Sequence, residues 1–302
     1  MTLEDDSVGR KRGGDIRPLV IGAGGMLGQA LLRRLEPEYP ETIGATRAEI
    51  DILDRFGMEA EIVRLNPTVV INCAAWTDVD GCTRNPARAL EVNAEGAEHV
   101  ARAAAGSGCR VIQVSTDFVF DGRLDRPYVE TDVPSPIQAY GLSKLEGERR
   151  VAVANEDHLI VRTAWLYGEH GDHFVGRILA RARAGEPLRV VEDQRGSPTL
   201  ADDLADGIAS LLRVEHRGIV HVVNTGVASR YELARRALEA MGLLGRVRFE
   251  AVRTVVPAGG TARPAASPLD TGLFTRLTGA APRSWTEALD DFLGREAGDA
   301  EA

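Results

Sequence analysis

A chain of 302 residues, 44% hydrophobic and 27% charged, has the make-up of an ordinary globular protein and is long enough to bury a large core. Its 36 basic residues against 45 acidic ones leave a net charge of −9, which excludes a general phosphate-binding surface for nucleic acid but leaves room for a local basic pocket. No apolar run approaches the ~18 residues a membrane span needs, and Cys73, Cys82 and Cys109, odd in number and without C-x-x-C spacing, suggest neither a disulfide framework nor a zinc site.

Residues 1–16 are polar and lack an apolar signal core, so they read as a flexible tail and the protein as cytoplasmic. The first apolar run is LVIG (19–22). Glycines follow it, and Leu27, Leu31 and Leu35 then repeat at helical spacing until Pro37 and Pro40 stop the helix. A short strand TIGAT (42–46) precedes a helix over 55–65 that ends at Asn66-Pro67. TVVIN (68–72) reads as a buried strand, 86–105 as a helix, RVIQVS (110–115) as a strand, 137–154 as a helix and HLIVRT (158–163) as a strand. Further helices are expected at 173–184, 201–212, 230–241 and 285–293, with short strands near 188–191, 219–224 and 247–252 and a loop over 257–268. This alternation predicts an α/β fold, a Rossmann-like doubly wound parallel sheet over 17–165 with later segments returning to it. Residues 166–302 should form a smaller C-terminal α/β region that mainly binds substrate.

GAGGMLG (22–28) places Gly22, Gly25 and Gly28 between a strand and a helix. There a tight turn and free helix N–H groups can receive a pyrophosphate. The spacing is G-x-x-G-x-x-G, with Leu27 where the usual dinucleotide fingerprint has glycine. At the end of the second strand Arg47 favours NADPH, although a solvated surface Arg fits equally and NADH stays open, since Glu49 and Asp51 follow. Tyr140 and Lys144 share one helix face, where an ammonium one turn away should lower the phenol pKa. Thr116, at the end of the fourth strand, can hydrogen-bond the same carbonyl oxygen. Together they could protonate that oxygen as hydride reaches its carbon. No His or carboxylate spacing indicates a metal site.

These stretches, with NCAAWTDVD (72–80), STDFVFDG (115–122), YGLSK (140–144), VRTAWLYG (161–168), DQRGSPT (193–199) and ARPAASPLD (262–270), make the chain resemble the dTDP-4-dehydrorhamnose reductase family of extended short-chain dehydrogenases/reductases. The resemblance implies reduction of a dTDP-4-keto-6-deoxy-L-sugar by NAD(P)H, foremost dTDP-4-dehydro-β-L-rhamnose to dTDP-L-rhamnose. Tyr140 would be proton donor, Lys144 would hold the nicotinamide ribose, and Thr116 would replace the superfamily's serine. Thr116, Asp117 and Trp165 would face the sugar. Gly25, Met26 and Leu27 would bind the pyrophosphate through backbone, Asp51 and Ile52 would lie at the adenine, and Ala74, Ala75 and Thr77 would line the cofactor cleft. Arg263 would meet the substrate diphosphate. Packing is the plain alternative for Trp165, turn capping for Asp117 and a solvated loop for Arg263. Asn93 would support the site through backbone bonds. The family's usual STDYVF reads STDFVF here, so Phe118 bears on which sugar is taken. The nearest rival is a ketoreductase for another dTDP-4-keto-6-deoxy sugar; an NAD⁺-recycling epimerase or dehydratase and a non-catalytic NADP-binding subunit are the others. Phe118 after Asp117, where dehydratases carry a second acid, and the retained Thr116, Tyr140 and Lys144 speak against those others. The oligomeric state stays open, a homodimer among the options.

Overall fold

The structure is a computed structural model that describes residues 16–257 and 259–301. The tail expected over 1–16 falls, but for Ile16, outside the described residues.

The chain runs β1 (Pro18–Ile21), α1 (Met26–Leu35), β2 (Ile43–Ala45), α2 (Arg55–Leu65), β3 (Val69–Asn72), α3 (Val79–Arg84) and α4 (Pro86–Leu90). A π-helical turn (Glu91–Glu95), α5 (Gly96–Gly106), β4 (Arg110–Thr116), a 3-10 turn (Asp117–Val119), α6 (Ala139–Ala154) and β5 (His158–Thr163) follow. Beyond them lie β6 (Leu166–Tyr167), α7 (Phe174–Arg183), β7 (Leu188–Val191), β8 (Arg195–Gly196), β9 (Thr199–Leu200), α8 (Ala201–Leu211) and β10 (Gly218–His221). The last elements are β11 (Ala228–Ser229), α9 (Arg230–Ala240), β12 (Phe249–Val252), α10 (Gly272–Thr278) and α11 (Trp285–Glu301).

Six parallel strands form the main sheet in the order β10-β5-β4-β3-β1-β2. Its strands are buried on both faces, which is why they read as continuous apolar runs. Val20, Ile71, Ile112 and Val161 pack towards Leu31 of α1 and Leu204 and Ile208 of α8. Leu19, Ile21, Val70 and Val111 alternate onto the other face, against Met58 and Ile62 of α2, Val100 and Ala104 of α5 and Val151 of α6. Because β2 and β3 lie on opposite sides of β1, the order reverses there. A crevice opens at the strands' C-terminal ends, where doubly wound sheets bind ligands. A second core joins α7, α9, α11 and β7 through Leu179, Leu188, Leu233, Leu238, Leu289 and Phe292, and β12 extends β7 in parallel. No helix among the described residues is long and apolar enough to cross a membrane.

The helix expected over 86–105 is present, and α4, the π turn and α5 run on without a break from Pro86 to Gly106. Asn85 ends α3, and its side chain caps α4 by accepting the Arg88 N–H at 3.1 Å. The chain then widens into the π turn before α5. α3 and α10 were not expected; each is short, and its few apolar positions give no periodic signal.

Candidate active site

The crevice begins at the glycine turn. Gly22 takes φ +82, and a Cβ there would come within 2.9 Å of the Ala74 nitrogen, so only glycine lets β1 turn this close to the end of β3. α1 then opens at Gly25 without a side-chain cap, leaving its first amides available to an anion. A cavity of about 540 Å³ lies over the ends of β1, β2 and β3, lined by Gly22, Gly25, Arg47, Asp51, Ile52, Ala74 and Ala75. Arg47 is exposed and pairs with Asp51 at 3.4 Å. Arg88 also reaches this cavity, paired with Glu91 at 2.7 Å; no sequence motif marked it. The uncapped turn and the cavity beside it fit a dinucleotide.

A second cavity of about 490 Å³ shares Gly22, Gly25, Cys73 and Ala75 with the first and continues over β4 and β5. It brings together Met26, Leu27, Thr77, Thr116, Asp117, Tyr140, Lys144 and Trp165. The sites expected from distant stretches of sequence thus form one continuous cleft, with one exception. Arg263 lines a separate cavity beyond it, where it pairs with Asp80 at 2.9 Å and donates to the Thr261 carbonyl at 3.0 Å.

α6 positions the phenol. The Gln138 side chain caps it by accepting the Gly141 N–H at 2.6 Å. A Cβ at Gly141 would lie 2.0 Å from the Phe118 carbonyl oxygen, and one at Gly147 would lie 2.2 Å from that of Asn93. The helix therefore sits directly on backbone at two points. Asn93, in the π turn, accepts the Trp76 N–H at 2.7 Å and donates to the Trp76 carbonyl and to Ser143 Oγ, each at 3.0 Å. This ties the end of β3 to α6, a use of a π turn beside a functional site.

Lys144 Nζ donates to the Val114 carbonyl at 2.7 Å. Burial pulls its pKa down to about 8, against an opposing pull from Glu148. Enclosure raises the Tyr140 phenol well above its ordinary range, and the Thr116 hydroxyl counters only part of this. The expected lowering by Lys144 is absent: burial dominates, and one of the ammonium's three N–H donors is taken by the Val114 carbonyl. Tyr140 is thus held protonated at neutral pH, the form a proton donor needs.

Beside it, the Thr116 hydroxyl donates to Asp117 Oδ1 at 3.1 Å and accepts the Phe118 N–H at 3.2 Å. Asp117 is 2% exposed, and burial raises its pKa to about 6 while bonds from Ser267 and Thr116 oppose the rise. Phe118 meets the Tyr140 ring edge-on at 5.9 Å. Trp165 takes a left-handed backbone (φ +47), a strained conformation that occurs where a site over-determines it. Its ring lies 3.6 Å from the guanidinium carbon of Arg230, which also lines the cleft. Among the described residues no carboxylate pairs with Arg230 within 4.0 Å, and burial brings its pKa down to about 9. Arg230 is the cation that sequence reasoning missed. It opens α9 far from any motif, and only the fold carries it here.

Comparison with known proteins places the chain in a family. The family described as RmlD substrate binding domain matches residues 16–297. A dTDP-4-dehydrorhamnose reductase of Mycobacterium tuberculosis is 44% identical over 233 residues, 75% of this chain and 76% of its own. A dTDP-4-keto-6-deoxy-D-glucose reductase of Streptomyces niveus is 41% identical over 276 residues, 90% of this chain and 95% of its own. The crystal structure of dTDP-4-dehydrorhamnose reductase from Bacillus anthracis in complex with NADP superposes with a TM-score of 0.88 at 34% identity, covering 93% of this chain and 99% of that one. With a family match that spans nearly every described residue and relatives of this identity and coverage, the chain belongs to the dTDP-4-dehydrorhamnose reductase family.

Proposed function

We propose that the protein reduces the C4 ketone of dTDP-4-dehydro-β-L-rhamnose to give dTDP-L-rhamnose. The observation that carries this reading is the convergence of Tyr140, Lys144 and Thr116 on one cleft with the glycine turn. NADPH, along the joined cavities, supplies the hydride. Gly25, Met26 and Leu27 would hold its pyrophosphate at the start of α1, Arg47 and Arg88 would meet the adenosine end, and Asp51 and Ile52 would flank the base.

Tyr140 gives its phenolic proton to the ketone oxygen as the carbon is reduced. Lys144 stabilises the phenolate that remains, and Thr116 donates to the same oxygen. Asp117 and Trp165 orient the sugar. Arg230, beside them and without an ion-pair partner among the described residues, takes the substrate diphosphate, the role expected of Arg263. Residues 17–165 mainly serve cofactor, and 166–302 mainly the nucleotide sugar, although α8 and β10 return to the main sheet.

A second reading, the same chemistry on another dTDP-4-keto-6-deoxy sugar, is favoured by Phe118 against Tyr140 and by the Streptomyces niveus relative. Incubating the protein with NADPH and each keto sugar, following loss of NADPH absorbance and identifying the product, decides between the two. No oxidation of NADPH with any dTDP-4-keto-6-deoxy sugar would remove the reductase reading.

A further inference from the structure

Thr163, the last residue of β5, is 7% exposed, yet its Oγ1 is buried without a hydrogen-bond partner. Among the described residues, it is the one buried, unpartnered side-chain polar atom that belongs to a residue lining either joined cavity. A hydroxyl shut away from water without a partner is costly, and native proteins keep few of them. The Thr163 Oγ1 has almost no accessible surface, so a ligand in the cleft meets it once the side chain turns about χ1, and a partner gained in that way removes the cost.

The surroundings indicate which ligand. In the parallel register Thr163 stands beside Thr116. Leu159 and Val161 of β5 pack towards α1 and α8, and the strand's two-residue period turns Thr163 the same way. α1 starts at the glycine turn and brings Met26 and Leu27 to this side of the cleft. A dinucleotide anchored at that turn, with its adenosine over β2, extends its nicotinamide end across β4 to β5. The sugar-facing groups instead come from the loops of the second core and the turn after β4, where Asp117 bonds Ser267 and Trp165 stacks on Arg230. A nicotinamide carboxamide offers an N–H₂ donor and a carbonyl acceptor, and a threonine hydroxyl can meet either.

We infer that the Thr163 hydroxyl, standing beside Thr116 at the end of β5, holds the carboxamide of the nicotinamide cofactor. The inference rests on the reductase reading above.

The test is Thr163→Val, which keeps the side-chain shape and removes the hydroxyl, beside Thr163→Ser, which keeps the hydroxyl. NADPH affinity is measured by titration without sugar, together with affinity for adenosine 2′,5′-bisphosphate, which lacks the nicotinamide. Thr163→Val should weaken NADPH about three- to tenfold, the range of one neutral hydrogen bond, and leave the bisphosphate unchanged. Its ligand-free form should melt no lower than wild type, because a methyl replaces an unpartnered hydroxyl. Thr163→Ser should retain NADPH affinity. Should Thr163→Val fold poorly, Thr163→Ala against Thr163→Ser gives the same contrast. Unchanged NADPH affinity, equal losses for NADPH and the bisphosphate, or a raised KM for sugar alone would overturn the assignment. Failure of the wild-type protein to bind NADPH would instead overturn the reductase reading.

Discussion

Ser267 donates a 2.5 Å hydrogen bond to Asp117 Oδ2, clasping the C-terminal loop to the end of β4 across 150 residues of sequence. Thr116 holds the other carboxylate oxygen at 3.1 Å. Even with both bonds, burial keeps the Asp117 pKa near 6, above the 3.8 of an ordinary aspartate. A carboxyl whose folded pKa is raised contributes stability below the unfolded value and loses it as pH climbs through the folded one. Asp117 therefore costs stability above about pH 6.

Asp117→Asn removes that cost. The variant should be more stable than wild type at pH 8, by about 1–3 kcal/mol, with the gain fading towards pH 4. Denaturant unfolding at the two pH values checks it, and a less stable variant at pH 8 would contradict it. Sugar binding should weaken at the same time, because an oriented acceptor is lost.

Lys144 titrates the opposite way. Burial lowers its pKa to about 8, so the ammonium is lost as pH rises through that value. Tyr140, raised by enclosure, stays protonated through the same window. kcat/KM should accordingly fall above about pH 8 with a slope of one proton. The unfolded chain binds the Lys144 proton more tightly, so between about pH 8 and the ordinary lysine value of 10.5 this group makes the fold more stable as activity declines. A kcat/KM profile beside a stability profile tests the pairing; an activity plateau well past pH 9 would refute it.

Tyr140→Phe should lower kcat at least about 100-fold while NADPH affinity and melting temperature hold. Stopped turnover with a bound cofactor isolates the proton step. Normal turnover would move the proton donor elsewhere.

Arg230 and Arg263 should differ. Arg230→Met is expected to raise the sugar-nucleotide KM about 10- to 100-fold, the loss of one charge-assisted contact, with NADPH affinity unchanged. Arg263→Met, already paired with Asp80, should change KM less. Arg230→Lys should recover only part of the loss, because a compact ammonium cannot stack its plane on Trp165. The reverse ranking would return the diphosphate to Arg263.

Much of this was legible before the fold. The β-branched buried strands and the turn signals between them sufficed to place the sheet, and the glycine turn and Y-x-x-x-K carried their chemistry in local spacing. Arg230 was not legible, because its meaning comes from Trp165, 65 positions earlier, and from the start of α9. The direction of the Tyr140 shift was hidden for a related reason: spacing on a helix fixes which residues are neighbours, whereas burial and the Val114 carbonyl decide what the ammonium does. α3 and α10 escaped because short helices held by caps and tertiary contact have little periodicity to read.

At Gly141 and Gly147, α6 rests main chain upon main chain. The depth of the phenol is therefore set by peptide atoms common to every side-chain choice nearby. Residues such as Phe118, Trp165 and Arg230 can be exchanged to admit a different sugar while the acid keeps its place. A scaffold of this kind allows substrate range to drift without rebuilding the reaction.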